Sequence, residues 1–141
     1  WDRCRGMMMN ARMFYRADER VFWFCRGRTW KWNQSHVGFG TVWHIPSVQQ
    51  RNGKEHPVQF PIEIPDRCIG ATTDVDDVVL DLFCGSGTSL VSAIRLGRRA
   101  IGIEREPKWA ELCRERLRAE EQSSTLQARK AGQVAMFGGA K

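Results

Sequence analysis

The sequence predicts an α/β chain built on part of a parallel sheet, from three observations. An apolar run, VVLDLF at Val78 to Phe83, ends in a glycine turn, CGSGT. A helical pattern, SLVSAIRLG, follows at once. A second apolar run, RAIGI, then ends on Glu104. Strand, tight loop, helix and acidic strand end is the order in which open parallel sheets hold a nucleotide at the carboxyl ends of their strands.

The first run contains β-branched residues and predicts a strand buried on both faces. Gly85 and Gly87 admit positive φ and let a ligand approach the backbone, and Ser86 or Thr88 is placed to cap the next helix. That helix runs to Leu96 and is closed by Gly97; its N-terminal amides suit a carboxylate. Glu104, at the tip of the strand Arg99 to Ile103, is placed to accept hydrogen bonds from ribose hydroxyls. A glycine turn that only lets a helix pack on a sheet would read the same at Gly85 and Gly87, and Glu104 is what favours a ligand site. Leu90 stands where the dinucleotide fingerprint has its third glycine, so a nicotinamide cofactor is the weaker reading.

DLFCGSGT, LGR and IGIE resemble the S-adenosylmethionine loop and acidic strand end of the amino-group DNA methyltransferases. HPVQFPIEIPDRCI, at His56 to Ile69, is similar to the HPxxFPxxLPxRxI segment that precedes this loop in circularly permuted members. The resemblance extends from Val21 to Leu117 and implies a Rossmann-like S-adenosylmethionine-dependent methyltransferase sheet, present in part. It implies that Phe83, Gly85, Ser86, Gly87 and Thr88 line the methionine side of the cofactor. Asp81 would support the loop, Glu104 would hold the ribose, and His56, Pro57, Phe60 and Pro61 would close the methionine pocket. The implied reaction is methylation of an exocyclic amine of adenine or cytosine in double-stranded DNA, as in restriction-modification.

The family's catalytic motif joins an acidic or polar residue to two prolines and an aromatic, which accept the amine's protons and stack on a flipped base. This sequence has no Pro-Pro. In the permuted order that motif lies N-terminal to the stretch present here, in keeping with a start at Trp1, so no catalytic residue is expected and the chain alone is expected to be inactive. A catalytically dead subunit that binds DNA or a protein partner is the alternative. The cytosine carbon-5 enzymes share DLFCGSG but need a Pro-Cys after it, which is lacking.

A chain of 141 residues supports one domain. Its net charge of +6 favours a polyanionic partner. Cys4, Cys25, Cys68, Cys84 and Cys113 form no CxxC pair, which argues against zinc and for reduced thiols in a cytoplasmic protein; the family resemblance implies a bacterial or phage-encoded one. No apolar run approaches the roughly 20 residues that span a bilayer.

Within the expected methyltransferase part, residues 1–120, the section 1–55 reads as antiparallel strands with a basic aromatic loop, and 56–120 as the cofactor-binding part. VFWFC, Val21 to Cys25, predicts a buried strand. In the loop from Gly27 to Gly40, Arg28, Trp30, Lys31 and Trp32 either contact DNA or, for the tryptophans, fold onto the core. TVWHI, Thr41 to Ile45, predicts a strand in which His44 is a hydrogen-bonded residue, and Gln49 to Glu55 a mobile loop. Glu63 to Thr72 predicts a helix with Pro65 in its first turn. Asp74, Asp76 and Asp77 read as a solvated turn. Pro107 opens a helix whose stripe is Trp109, Leu112, Cys113 and Leu117, with Arg114, Glu115 and Arg118 facing water; Trp109 either packs in the core or flanks an adenine. Residues 121–141 read as a disordered tail. Within it, Gln133, Met136 and Phe137 resemble the pentapeptide that docks on the bacterial sliding clamp.

Overall fold

A computed structural model describes residues 18–34, 38, 40–46 and 59–130, with side chains to residue 123. Its elements follow in the order α1 (Glu63–Thr72), β1 (Val78–Asp81), α2 (Thr88–Arg95), β2 (Arg99–Gly102) and α3 (Pro107–Lys130). β1 and β2 pair in parallel, with Val78 opposite Arg99, Leu80 opposite Ile101 and Asp81 opposite Gly102. Parallel neighbours need a crossover, and α2 supplies it.

α2 is the centre of the packing, in contact with α1, α3 and both strands. Its Leu90, Val91, Ser92 and Ala93 are buried, joined in the core by Ile64, Ile69 and Ala71 of α1 and Cys113 of α3. Gly97 closes α2 at φ 77°, a conformation that favours glycine, and donates its N–H to Ile94 O at 2.9 Å. Arg98 is buried beside this turn and donates to Thr73 Oγ1 at 3.0 Å, to Thr73 O at 2.6 Å and to Leu96 O. Its guanidinium thereby joins the end of α1 to the end of α2.

Several expectations are corrected. β1 is covered on one side only, where Val79 and Asp81 are half-buried: Val78 and Leu80 are 45% and 57% exposed, and Ile101 beside Leu80 is 53% exposed. α2 covers one face, and among the described residues no element covers the other. Val21 to Cys25 is not a strand; Phe22 and Phe24 are 70% and 87% exposed, because this β-prone run has no neighbouring strand to pair with among the described residues. Thr41 to Ile45 is likewise not a strand element, although His44 makes an isolated bridge and Ile45 is buried.

The acidic turn is engaged rather than merely solvated. Lys31 Nζ lies 2.7 Å from Asp77 Oδ2 and 3.0 Å from Asp74 Oδ2, and the Asp74 N–H donates to Asp77 Oδ2. α3 continues to Lys130, so residues 121–130 are helical where the polar composition predicts a disordered tail. His56, Pro57, Gln49 to Glu55 and the segment holding Gln133, Met136 and Phe137 lie outside the described residues.

Candidate functional site

The carboxyl ends of β1 and β2 meet at the glycine loop, and hydrogen bonds from both strands shape it. Asp81, the last residue of β1, accepts the Phe83 N–H at 3.0 Å through Oδ1 and the Ser89 hydroxyl through Oδ2. One carboxylate thus spans the loop from its first residue to the first turn of α2. The Cys84 N–H donates to Ile103 O at 3.0 Å, and the Gly87 N–H to Cys84 O at 2.7 Å.

Gly85 and Gly87 stand at φ 54° and 80°, in the left-handed region that a side chain disfavours. Gly87 also has no room for one: a Cβ there would lie 2.4 Å from Cys113 Sγ. Gly87 is the N-cap of α2 and no side chain caps the helix, which corrects the expected capping by Ser86 or Thr88. Those hydroxyls are used otherwise.

Glu104, two residues past β2, turns back over the loop. Its Oε2 accepts the Gly85 N–H at 2.9 Å and its Oε1 the Glu106 N–H at 2.8 Å. Each carboxylate oxygen is thus an acceptor, one toward the loop and one toward the turn into α3. The acidic strand end and the glycine loop are therefore joined by a hydrogen bond.

Ser86 and Thr88 are each only 4% exposed. Arg116 of α3 reaches them: its Nη1 donates to Ser86 O at 2.7 Å, to Ser86 Oγ at 2.9 Å and to Thr88 Oγ1 at 3.3 Å. Sequence reasoning missed Arg116 because it sits in the charged run CRERL. The signal was its place seven residues after Trp109, on the same helical stripe as Cys113.

Phe83 is 89% exposed at the mouth of the loop. Phe60 is partly exposed and Pro61 buried immediately before α1, whose packing on α2 ties that segment to the helix after the loop. Burial, followed by the neighbouring Cys113, pushes the Cys84 thiol up to about 11, so it is protonated at neutral pH and no nucleophile. Lys108 lies over the Trp109 ring at 4.6 Å. No cluster of metal-ligating side chains occurs among the described residues.

The expected DNA-facing residues lie elsewhere. Lys31 is tied to the turn that enters β1, one strand length, roughly 13 Å, from the glycine loop. Trp30 and Trp32, both about half exposed, flank Trp23 at ring separations of 5.8 and 5.0 Å. Trp23 is therefore the centre of an aromatic cluster, a role hidden in sequence by its place in an apolar run. Arg28 is exposed. No helix among the described residues is long and apolar enough to cross a membrane.

Comparison with known proteins places this geometry. The sequence profile of a DNA methylase family matches residues 1–115. The type II methyltransferase M.BglI of Bacillus subtilis is 46% identical over 71 residues, which are 50% of this chain and 20% of that one. The type II methyltransferase M2.DpnII of Streptococcus pneumoniae is 46% identical over 77 residues, 55% of this chain and 28% of that one. Among solved structures, the M1.HpyAVI–SAM complex superposes with a TM-score of 0.53 at 28% identity, covering 63% of this chain and 44% of that one. The chain thus spans between a fifth and three tenths of the length of these curated relatives. With the profile covering most of its length and its loop and acidic strand end joined in one α/β site, the chain belongs to the DNA methylase family.

Proposed function

We propose that this chain is the S-adenosylmethionine-binding portion of a DNA methyltransferase that modifies an exocyclic amine of adenine or cytosine. The observation that carries the reading is the bond from the Gly85 N–H to Glu104 Oε2, which joins the glycine loop to the second strand end. Glu104 is the acidic group at the strand end that would accept from the ribose hydroxyls, while Ser86, Gly87 and Thr88 stand at the start of α2 for the methionine carboxylate. The loop residues Phe83 and Gly85, with Asp81 beneath them, the HP-segment residues Phe60 and Pro61, and His56 and Pro57 upstream, complete the proposed cofactor contacts. When bound, the cofactor supplies the methyl group. What this chain contributes is position: the exposed Phe83 borders the loop opening, and Glu104 orients the loop.

The sequence has no Pro-Pro, so the group that would accept the amine's protons is lacking and the chain alone transfers no methyl. For DNA contact we assign Arg28, Trp30 and Trp32 together with Trp23, exposed aromatic faces and a cation within one short segment suiting bases and phosphates. Lys31 serves instead as the anchor of this segment on the acidic turn. Docking on a sliding clamp through Gln133, Met136 and Phe137 is a separate proposal, tested by loss of clamp capture on Phe137→Ala.

The test of the cofactor site is calorimetric titration of S-adenosylmethionine into the chain. Binding is expected, with about a tenfold to hundredfold loss on Glu104→Ala, from removal of a carboxylate that holds charge-assisted hydrogen bonds, and no binding by Gly85→Val. A folded wild-type chain that binds no cofactor would overturn the reading.

A further inference from the structure

Arg116 stands on α3, outside the loop and outside every motif that marks the cofactor site, yet it is the side chain that holds Ser86 and Thr88. Hydrogen-bond chemistry gives this contact a direction. A guanidinium has only N–H groups, so it donates and never accepts. Ser86 Oγ and Thr88 Oγ1 are therefore both acceptors toward Arg116, and each keeps its own hydrogen. Both residues are only 4% exposed. Among the described residues neither hydroxyl hydrogen has a hydrogen-bond acceptor, an arrangement that buried polar groups seldom tolerate without a purpose.

We propose that Arg116 is a positioning residue of the cofactor site, which makes Ser86 and Thr88 paired hydrogen donors for an anionic group, the carboxylate of the amino-acid half of S-adenosylmethionine. This rests on the cofactor reading above and adds to it the source of the loop's preference for an anion. The guanidinium acts in three ways at once. It fixes the Ser86 carbonyl and so the loop backbone between Gly85 and Gly87. It withdraws a lone pair from each hydroxyl, which strengthens the hydroxyl as a donor. Its positive charge lies behind the two oxygens, at the end of α2 that already favours negative charge. Gly87 at the N-cap brings no side-chain acceptor of its own to that helix end.

The measurement is titration of two ligands into the full chain. S-adenosylmethionine carries the carboxylate, whereas 5′-methylthioadenosine shares the nucleoside and lacks the amino-acid half. Arg116→Ala should weaken S-adenosylmethionine at least about tenfold and leave methylthioadenosine unchanged, since only one of them loses charge-assisted hydrogen bonds. Arg116→Lys should recover part of the loss. The double substitution of Ser86→Ala with Thr88→Val should give the same selective loss without touching α3. Equal weakening of both ligands by Arg116→Ala, with no selective loss in the hydroxyl variant, would overturn the proposal and leave Arg116 a packing residue. Unchanged affinity for S-adenosylmethionine in both variants would also overturn it. A folded wild-type chain that binds neither ligand would instead remove the cofactor site itself.

Discussion

The two halves of the described chain use the same kinds of residue to opposite ends. Residues 61–104 bury Ile64, Ile69, Leu90, Val91 and Ala93 and satisfy a buried guanidinium, Arg98, through carbonyls and a hydroxyl. Residues 18–34 carry Phe22, Phe24, Trp23, Trp30 and Trp32, and all of them are at least 48% exposed. The difference lies in partners. In the first region each of these buried residues sits on an element that meets another element, whereas in the second the aromatics contact one another. Apolar content alone makes neither a strand nor a core; it needs a facing surface.

The contrast can be broken at its strongest point, the α2 N-terminus. Gly87→Ala forces a Cβ into the left-handed region and against Cys113 Sγ, 2.4 Å away. The backbone penalty of about 1–2 kcal/mol and the overpacking cost of about 1–3 kcal/mol give an expected loss of about 3 kcal/mol. Urea unfolding followed by circular dichroism measures it, and an unchanged midpoint would mean that the loop is not packed on α3 as described. Arg98→Ala comes next. It leaves Thr73 O and Leu96 O without their donor, and a loss of about 2 kcal/mol is expected in the same assay.

Both effects fall where the sequence was most legible, and for a physical reason. The glycine loop, the closing Gly97, the α1 helix and the Pro107 start of α3 depend on local backbone preferences, so spacing and residue type suffice to find them. The place of Glu104 at the end of the second strand was legible from the order of the motifs, whereas its bond to Gly85 was not. VFWFC was misread because strand formation is decided by a neighbour elsewhere in the chain, not by the run itself. The exposure of Leu80 and Ile101 was missed for the same reason, since burial on a second face needs a covering layer. Arg116 was missed because a charged residue in a charged run reads as solvated, and Lys31 was read as a DNA contact from its aromatic neighbours, whereas its carboxylate partners mark it as an anchor. The extension of α3 to Lys130 shows that a polar stretch without an apolar stripe can still prolong a helix already nucleated upstream.

In the exposed region the expected effects shrink. Trp23→Ala removes the ring between Trp30 and Trp32 and should cost about 1 kcal/mol or less, the scale of aromatic pairing without deep burial. It should weaken DNA binding by more than it weakens the fold, which fluorescence anisotropy with a labelled duplex would read against the urea midpoint. A midpoint loss as large as that of Arg98→Ala would end the contrast, because residues 18–34 would then belong to the same cooperative unit as the core.

The smallest effect is the one that joins the regions. Lys31 binds Asp77 and Asp74, and all three are substantially solvated, so the pair is screened and contributes little. Its pH dependence has a definite sign. The Lys31 side-chain bond holds the Asp77 carboxyl below its usual range, and the same bond, with that to Asp74, raises Lys31 above its own. A lowered folded value on Asp77 means that the contribution is present above the ordinary aspartate range, near pH about 4, and is lost as pH falls through the folded value. The raised value on Lys31 means that the contribution persists at all pH below the ordinary lysine range, near about 10.4, and is lost as pH rises through the folded value. Lys31→Met should therefore lower the urea midpoint slightly at pH 7 and leave it unchanged near pH 2, with the difference also shrinking in high salt. A difference that persists at pH 2 would assign the effect to the aliphatic stem of Lys31, and the two regions would then be joined by packing rather than by charge.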